Sequence, residues 1–270
     1  MLWPFFFPFL RFSDADSGNQ MTNQIGTVGI IIPMYNARDT VLRAVQSVLD
    51  QTWTDWRIYL INDKSTDDSL AFVQEHCRDA RITILSNEVN LGAAETRNVG
   101  LLAANEEIIA FLDSDDEWEK DKLMLQTQAM AAGDDLVISH YGYKSRTKSY
   151  DVTYSKPYLM KDNFVKKQFR ICFSSVCFRR PARNIMFQKK GHEDFLFLYE
   201  LFEQYKQARV IEKNLVVYYE LGDSLSRNKN KAAKWHLELL RFIYKNNPLK
   251  VYYYYVWYMV NGVLFTLKHR

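Results

Sequence analysis

Residues 108–118 read IIAFLDSDDEW. The apolar run from Ile108 to Leu112 describes a buried strand, and it stops abruptly at Asp113, Ser114, Asp115 and Asp116. Three carboxylates therefore fall within four positions at a strand end. In an extended backbone Asp113 and Asp115 point the same way, as oxygen ligands for Mg²⁺ or Mn²⁺ bridging a diphosphate should. Acids packed so closely repel, and a divalent cation would relieve that. Asp116 has a plainer alternative, capping a helix that begins near Glu119. A DxD spacing recurs by chance, so its meaning depends on what surrounds it.

Upstream, the chain alternates strand and helix. Val28 to Ile32 is β-branched and continuously apolar, the pattern of a strand covered on both faces. Val41, Leu42, Val45, Val48 and Leu49 recur at helical spacing behind Asp39 and Thr40 as candidate caps. A strand at Arg57 to Ile61 leads through the polar loop Asn62 to Thr66 into a helix over Asp67 to Cys77. Strand Arg81 to Leu85, loop Ser86 to Gly92 and helix Ala93 to Ala104 complete the approach to the acidic strand. Four βα units in this order require right-handed crossovers and a mostly parallel sheet with helices on both faces, whose carboxyl edge is where a ligand sits. The fold class is α/β.

Downstream, Leu136 to His140, Lys148 to Tyr154, Ser174 to Arg180 and Val210 to Glu220 read as further strands, with a helix near Phe195 to Gln207. No proline-rich linker intervenes, so these are expected to continue one sheet and wall the cleft. The reading is an extension over 1–26, a domain over 27–222 with halves at 27–134 and 135–222, and a helical C-terminal extension over 223–270. Helical pattern resumes at Lys231 to Tyr244. Val251 to Leu267 is uncharged and rich in tyrosine; it can pack on its own domain, lie in a membrane interface or, least readily at 17 residues, span one. The opening MLWPFFFPFLRF is too short to span and lacks the positive start of a signal peptide, leaving a start at Met21 or a loose membrane-touching segment.

Net charge is +3, but residues 221–270 carry nine Lys or Arg against two acids, so the basic end is the C-terminal one. Cys77, Cys172 and Cys177 have no CxxC spacing and cannot pair completely, which points to a reducing compartment without a zinc site.

The segments TVGIIIPMYNARDTVLRAVQSVLDQT, YLINDKSTDDS, NLGAAETRNVG and IAFLDSDDEWEKDKL, in that order and spacing, resemble the family 2 glycosyltransferases with an A-type nucleotide-sugar-binding fold. The later HEDFLFLYEL and SLSRNKNKAAKW are similar to the branch that builds bacterial surface polysaccharides, such as teichuronic acid and O-antigen transferases. The resemblance covers about Thr27 to Lys268. It implies that Pro33, Tyr35 and Asn36 surround the nucleotide, that Asp63 hydrogen-bonds uracil and that Arg97 lies in the nucleotide-contacting segment. It places Asp113 and Ser114 by the ribose, with Asp115 and Asp113 at the metal. One departure stands out: the family commonly has two acids and a glycine where this chain has Asn62, Asp63 and Lys64.

Glycosyl transfer also needs a base for the acceptor hydroxyl. The segment GHEDFLF offers His192, Glu193 and Asp194 just before a helix, where a helix cap is the structural alternative. The resemblance makes Asp194 the general base, with Glu193 orienting loop or acceptor and His192 a further catalytic candidate. One carboxylate base without a covalent nucleophile implies single displacement, hence inversion and a β-glycoside from an α-linked donor. Arg227, Lys229 and Lys234 are either a solvated helix face or contacts to phosphate on the donor or a lipid diphosphate carrier.

The expected activity is metal-dependent transfer from a UDP-sugar to a growing, polyprenyl-diphosphate-linked saccharide. The expected place is the cytoplasmic face of a bacterial inner membrane, by peripheral contact with its anionic surface; no nucleic-acid partner is expected. Two alternatives stay open: a non-catalytic nucleotide-sugar-binding protein of the same fold, and a sugar nucleotidyltransferase. The latter ordinarily wants an early glycine-rich phosphate loop, and Ile32 to Arg38 contains no glycine. GxGxxG is missing after the first strand, which disfavours a dehydrogenase.

Overall fold

The structure is a computed structural model that describes residues 25–220 and 229–268. The first half follows the alternating pattern: β1 (Val28–Met34), α1 (Val41–Leu49), β2 (Trp56–Asn62), α2 (Ser69–His76), β3 (Ile82–Ser86), α3 (Ala93–Ala103) and β4 (Ile108–Phe111). The second half adds β5 (Glu117–Trp118), α4 (Lys122–Ala131), β6 (Leu136–Ser145), β7 (Ser149–Val152), β8 (Tyr158–Met160) and α5 (Lys161–Val165). A 3-10 turn at Phe173–Ser175, β9 (Cys177–Arg179), α6 (Glu193–Tyr205), β10 (Gln207–Glu220), α7 (Lys229–Ile243) and α8 (Pro248–Lys268) complete it.

The ten strands among the described residues join one sheet, with the main order β3-β2-β1-β4-β9-β6-β10-β5. β1, buried at every position, pairs in parallel with β2 and β4. β9 runs antiparallel to both β4 and β6, so β6, and β10 beside it, regain the direction of the first four strands. Six strands thus share one direction, and the second half extends the same sheet, as expected. α3 lies tight against β1, because a Cβ at Gly100 would meet Ile31 Cγ2 at 2.5 Å. That close approach sets the height of Arg97, one turn earlier.

Local chemistry overrides the pattern in four places. The expected strand from Ser174 is a 3-10 turn up to Ser175, since Ser175 Oγ donates to Cys172 O at 2.7 Å and Ser174 Oγ to Asp116 at 2.6 Å. The helix expected near Glu119 begins at Lys122, because Glu117 and Trp118 pair with β10 instead. Asp116 caps nothing; it is fully buried and accepts from Ser174 Oγ and Tyr219 N–H. Thr40 occupies the residue before α1, yet its hydroxyl bonds Ala37 O, while Asp39 pairs with Arg38.

Residues 1–24 and Arg227 lie outside the described residues. α8 packs one face on its own domain, as one reading had it, and no helix among the described residues is long and apolar enough to cross a membrane.

Candidate active site

The carboxyl ends of β1, β2 and β4 and the start of α3 open on one cleft of about 900 Å³. Pro33, Tyr35, Asn36, Asp63, Arg97, Asp113, Ser114 and Asp115 all line it, so the residues singled out for the nucleotide and the cation come together.

Asp63 is buried and held by three donors: the backbone N–H of Leu91 at 2.7 Å and of Gly92 at 2.8 Å, and Asn87 Nδ2 at 2.8 Å. Burial alone would raise its pKa, but these donors win and keep it below the ordinary carboxylate value. Asp63 therefore enters the cleft as a fixed anion. The loop following it is tied to the first strand, because Asn36 Oδ1 accepts from Thr66 N–H at 2.8 Å and Ser65 Oγ receives Asn36 N–H at 3.0 Å. Lys64 adopts φ 57°, the left-handed conformation that glycine takes most easily. Lys64 thus takes a glycine-like conformation where the family commonly has glycine, and it is exposed, outside the cleft lining.

At β4, Asp113 N–H donates to Ser174 Oγ at 3.1 Å and Asp115 O receives Arg43 Nη2 at 2.6 Å. Burial, reinforced by the charge of Asp113, raises the Asp115 pKa to about 6. Two neighbouring carboxylates, one of them reluctant to ionise alone, are a donor set that suits a divalent cation. Among the described residues no cluster of three or more His, Cys, Asp or Glu could hold a metal, so a cation here would complete its shell with water and donor phosphate oxygens.

Arg97 links this edge to the candidate base. Its Nη2 lies 2.6 Å from Asp113 Oδ1 and its Nη1 2.9 Å from Asp194 Oδ1, while its side chain is 6% exposed. Burial works against its charge, yet Asp194 and Asp113 outweigh that and hold its pKa above the usual arginine value. The guanidinium also rests over Phe173, 5.0 Å from the ring centroid. Asp194 keeps 45% of its side-chain surface open, but the surrounding protein desolvates it, and its pKa rises to about 6 despite the pull of Arg97. An aromatic layer fixes both acids from below. Phe111, two residues before Asp113, meets Phe197, three after Asp194, edge-on at 5.6 Å, and Phe197 stacks on Phe187 at 4.1 Å.

Glu193 and Asp194 form the first turn of α6 rather than its cap; His192 takes that position with φ 66° and no side-chain capping bond. The His192 ring is engaged with α7, its Nε2 3.3 Å from Ala232 O and its face edge-on to Trp235. Lys234 is exposed on α7, and Lys229 opens that helix. Sequence reasoning missed Asn87, Arg43, Ser174 and Trp235, which act on the singled-out residues from other elements. Only Gly191 carried a hint: a Cβ there would meet Trp235 at 2.9 Å.

A mostly parallel α/β sheet flanked by helices, with a cleft at its carboxyl edge lined by acids, is the A-type glycosyltransferase architecture. The profile described as Glycosyl transferase family 2 matches residues 29–190, and the chain belongs to that family. It is 32% identical over 249 residues to the putative teichuronic acid biosynthesis glycosyltransferase TuaG of Bacillus subtilis, covering 90% of this chain and 98% of that one. It is 31% identical to the UDP-Glc:alpha-D-GlcNAc-diphosphoundecaprenol beta-1,3-glucosyltransferase WfgD of Escherichia coli, covering 87% of this chain and 93% of that one. Among solved structures, S. aureus TarS 1-349 in complex with UDP-GlcNAc superimposes with a TM-score of 0.67 at 19% identity, over 80% of this chain and 65% of that one.

Proposed function

We propose that the protein is an inverting glycosyltransferase that moves a hexose from a UDP-sugar to a hydroxyl of a diphosphate-lipid-linked saccharide, forming a β-glycoside. The observation that supports this reading is the Arg97 bridge, which ties Asp194 to Asp113 beside the cleft that Arg97 and Asp113 line. The names of the relatives support the donor and acceptor classes, and make UDP-glucose the first donor to try.

In this mechanism Asp63, as a fixed anion, accepts from the uracil N–H, and Pro33, Tyr35 and Asn36 enclose the nucleotide. Asp113 and Asp115 would hold Mg²⁺ or Mn²⁺, which supplies charge neutralisation for the departing diphosphate. Asp194 takes the proton of the acceptor hydroxyl as its oxygen bonds to the anomeric carbon and the bond to UDP breaks. A carboxylate whose pKa lies near 6 is a stronger base than an ordinary one and still ionised at neutral pH. Arg97 aims it, Glu193 orients the acceptor side, and His192 anchors the loop to α7. Arg227, Lys229 and Lys234 meet the acceptor's phosphates, and the work is done at the cytoplasmic face of the membrane that carries the lipid. The halves 27–134 and 135–222 then divide into donor and acceptor walls.

A thermal-shift panel of UDP-glucose, UDP-galactose and their N-acetylated relatives with Mn²⁺ tests the donor assignment, because bound ligand raises the midpoint by mass action. One or more should raise the Tm, and Asp115→Ala should lose the Mn²⁺-dependent part. A panel without response, or an undiminished one in Asp115→Ala, contradicts the reading.

A further inference from the structure

One side of α8 is bound to the body of the protein. Val251 is buried, the Tyr254 hydroxyl donates to Asp162 at 3.0 Å, Tyr258 stacks on His236 at 4.0 Å, and Asn261 Nδ2 donates to Lys166 O at 2.9 Å. The opposite side exposes Leu249, Val256, Val260, Val263, Leu264 and Leu267, with Leu249 at 81% and Val263 at 58%. These positions fall at helical spacing and trace one apolar stripe along a helix about 31 Å long. A contiguous apolar surface of this extent marks an interaction site.

Charge identifies the occupant. No charged residue interrupts the helix between Lys250 and Lys268, and Lys245 stands just before it, so both ends are cationic and neither is acidic. A second copy stacked on this face would set lysine against lysine whether the helices ran parallel or antiparallel. Beside the stripe, the α7–α8 hairpin encloses a cavity of about 500 Å³ lined by Arg241, Tyr244, Lys245, Tyr252 and Tyr255, among others. Neither Arg241 nor Lys245 forms an ion pair among the described residues. Two uncommitted cations with phenol hydroxyls at the margin of an apolar face suit a headgroup phosphate. Because no helix among the described residues can cross a bilayer, the fitting geometry is a helix lying flat.

We propose that the α7–α8 hairpin docks the protein on an anionic lipid bilayer, with the α8 stripe among the acyl chains and Arg241 and Lys245 on headgroup phosphates. The surface lies apart from the donor cleft and stands whether or not the cleft binds a UDP-sugar.

Flotation of the full chain with phosphatidylglycerol/phosphatidylcholine vesicles, against phosphatidylcholine alone, tests it. Wild type should float with the anionic vesicles and poorly with the neutral ones. The triple variant Val256→Gln, Val260→Gln, Val263→Gln should lower partitioning about tenfold or more. The double variant Arg241→Gln, Lys245→Gln sits on the exposed hairpin edge and does not disturb the core; it should lose the preference for phosphatidylglycerol and its salt sensitivity. Both should keep the UDP-induced thermal shift of wild type, so failure of the surface and failure of the cleft read out separately. Unchanged partitioning in both variants, indifference of wild type to phosphatidylglycerol, or a wild-type dimer that the triple variant splits would overturn the proposal.

Discussion

Arg97 is the side chain on which the candidate site turns, since it is the shared partner of two acids that belong to different elements. Arg97→Lys keeps the charge but has no planar fork to reach both carboxylates at once. It should cost kcat more than donor affinity, measurable as a kcat-to-KM split in a UDP-release assay. For Asp194, the raised pKa sets the direction of the pH dependence: the base works as the carboxylate, so kcat should rise as pH increases through about 6 and fall roughly tenfold per unit below it. A profile flat from pH 5 to 8 would assign the proton elsewhere. At this scale the sequence was legible where a residue's chemistry matched its neighbours in line, as in the DxD run. It was not legible at Lys64, where a positive φ stands in for a glycine, because side-chain identity alone does not report backbone conformation.

The element that presents the base depends on its neighbour. α6 begins at Glu193, and the turn before it is wedged against Trp235 of α7, which leaves no room for a methyl group at Gly191. Gly191→Ala should destabilise the protein by about 1–3 kcal/mol and lower kcat with donor binding nearly intact, which urea unfolding and a nucleotide titration separate. A loss of donor binding equal to the loss of turnover would place the effect outside this loop. α1 was readable from its helical periodicity, and β1, β2 and β4 from continuous apolar runs buried on both faces, whereas α3 buries Thr96, Arg97 and Asn98 beside Ala94 and Leu101 and was placed by its position in the alternating order. β5 and β8 were not readable: two or three residues carry no periodicity, and they exist because the longer β10 offers them partners; β9 was read, as the end of a longer strand from Ser174 to Arg180. The Ser174 turn and the buried Asp116 likewise arise from side-chain bonds between segments far apart in sequence.

Across the whole molecule, burial of charge shapes the response to pH. Lys122 is fully buried, with Nζ 2.7 Å from Gln126 Oε1 and 3.8 Å from the Trp118 ring centroid, and desolvation lowers its pKa to about 8. Between about 8 and 10.5 the unfolded chain holds this proton and the folded one does not, so stability rises with pH across that window. The full span corresponds to about 3 kcal/mol, and the penalty is present below pH 8. Urea unfolding at pH 7 and pH 10 should give a smaller rise for Lys122→Met than for wild type; an equal rise would mean that burial does not lower the pKa of this lysine. The basic C-terminal end was visible in composition, whereas which face of α8 stays open depends on how it packs on α5 and α7. The most direct test of the molecule's central chemistry is the single-turnover release of UDP from UDP-glucose, or whichever donor gives the largest thermal shift, with a diphosphate-lipid-linked saccharide acceptor. Asp194→Asn should slow it by about 10²–10⁴-fold while the donor Kd stays within a few-fold of wild type; release by that variant at near the wild-type rate would contradict the assignment of the base and with it the mechanism.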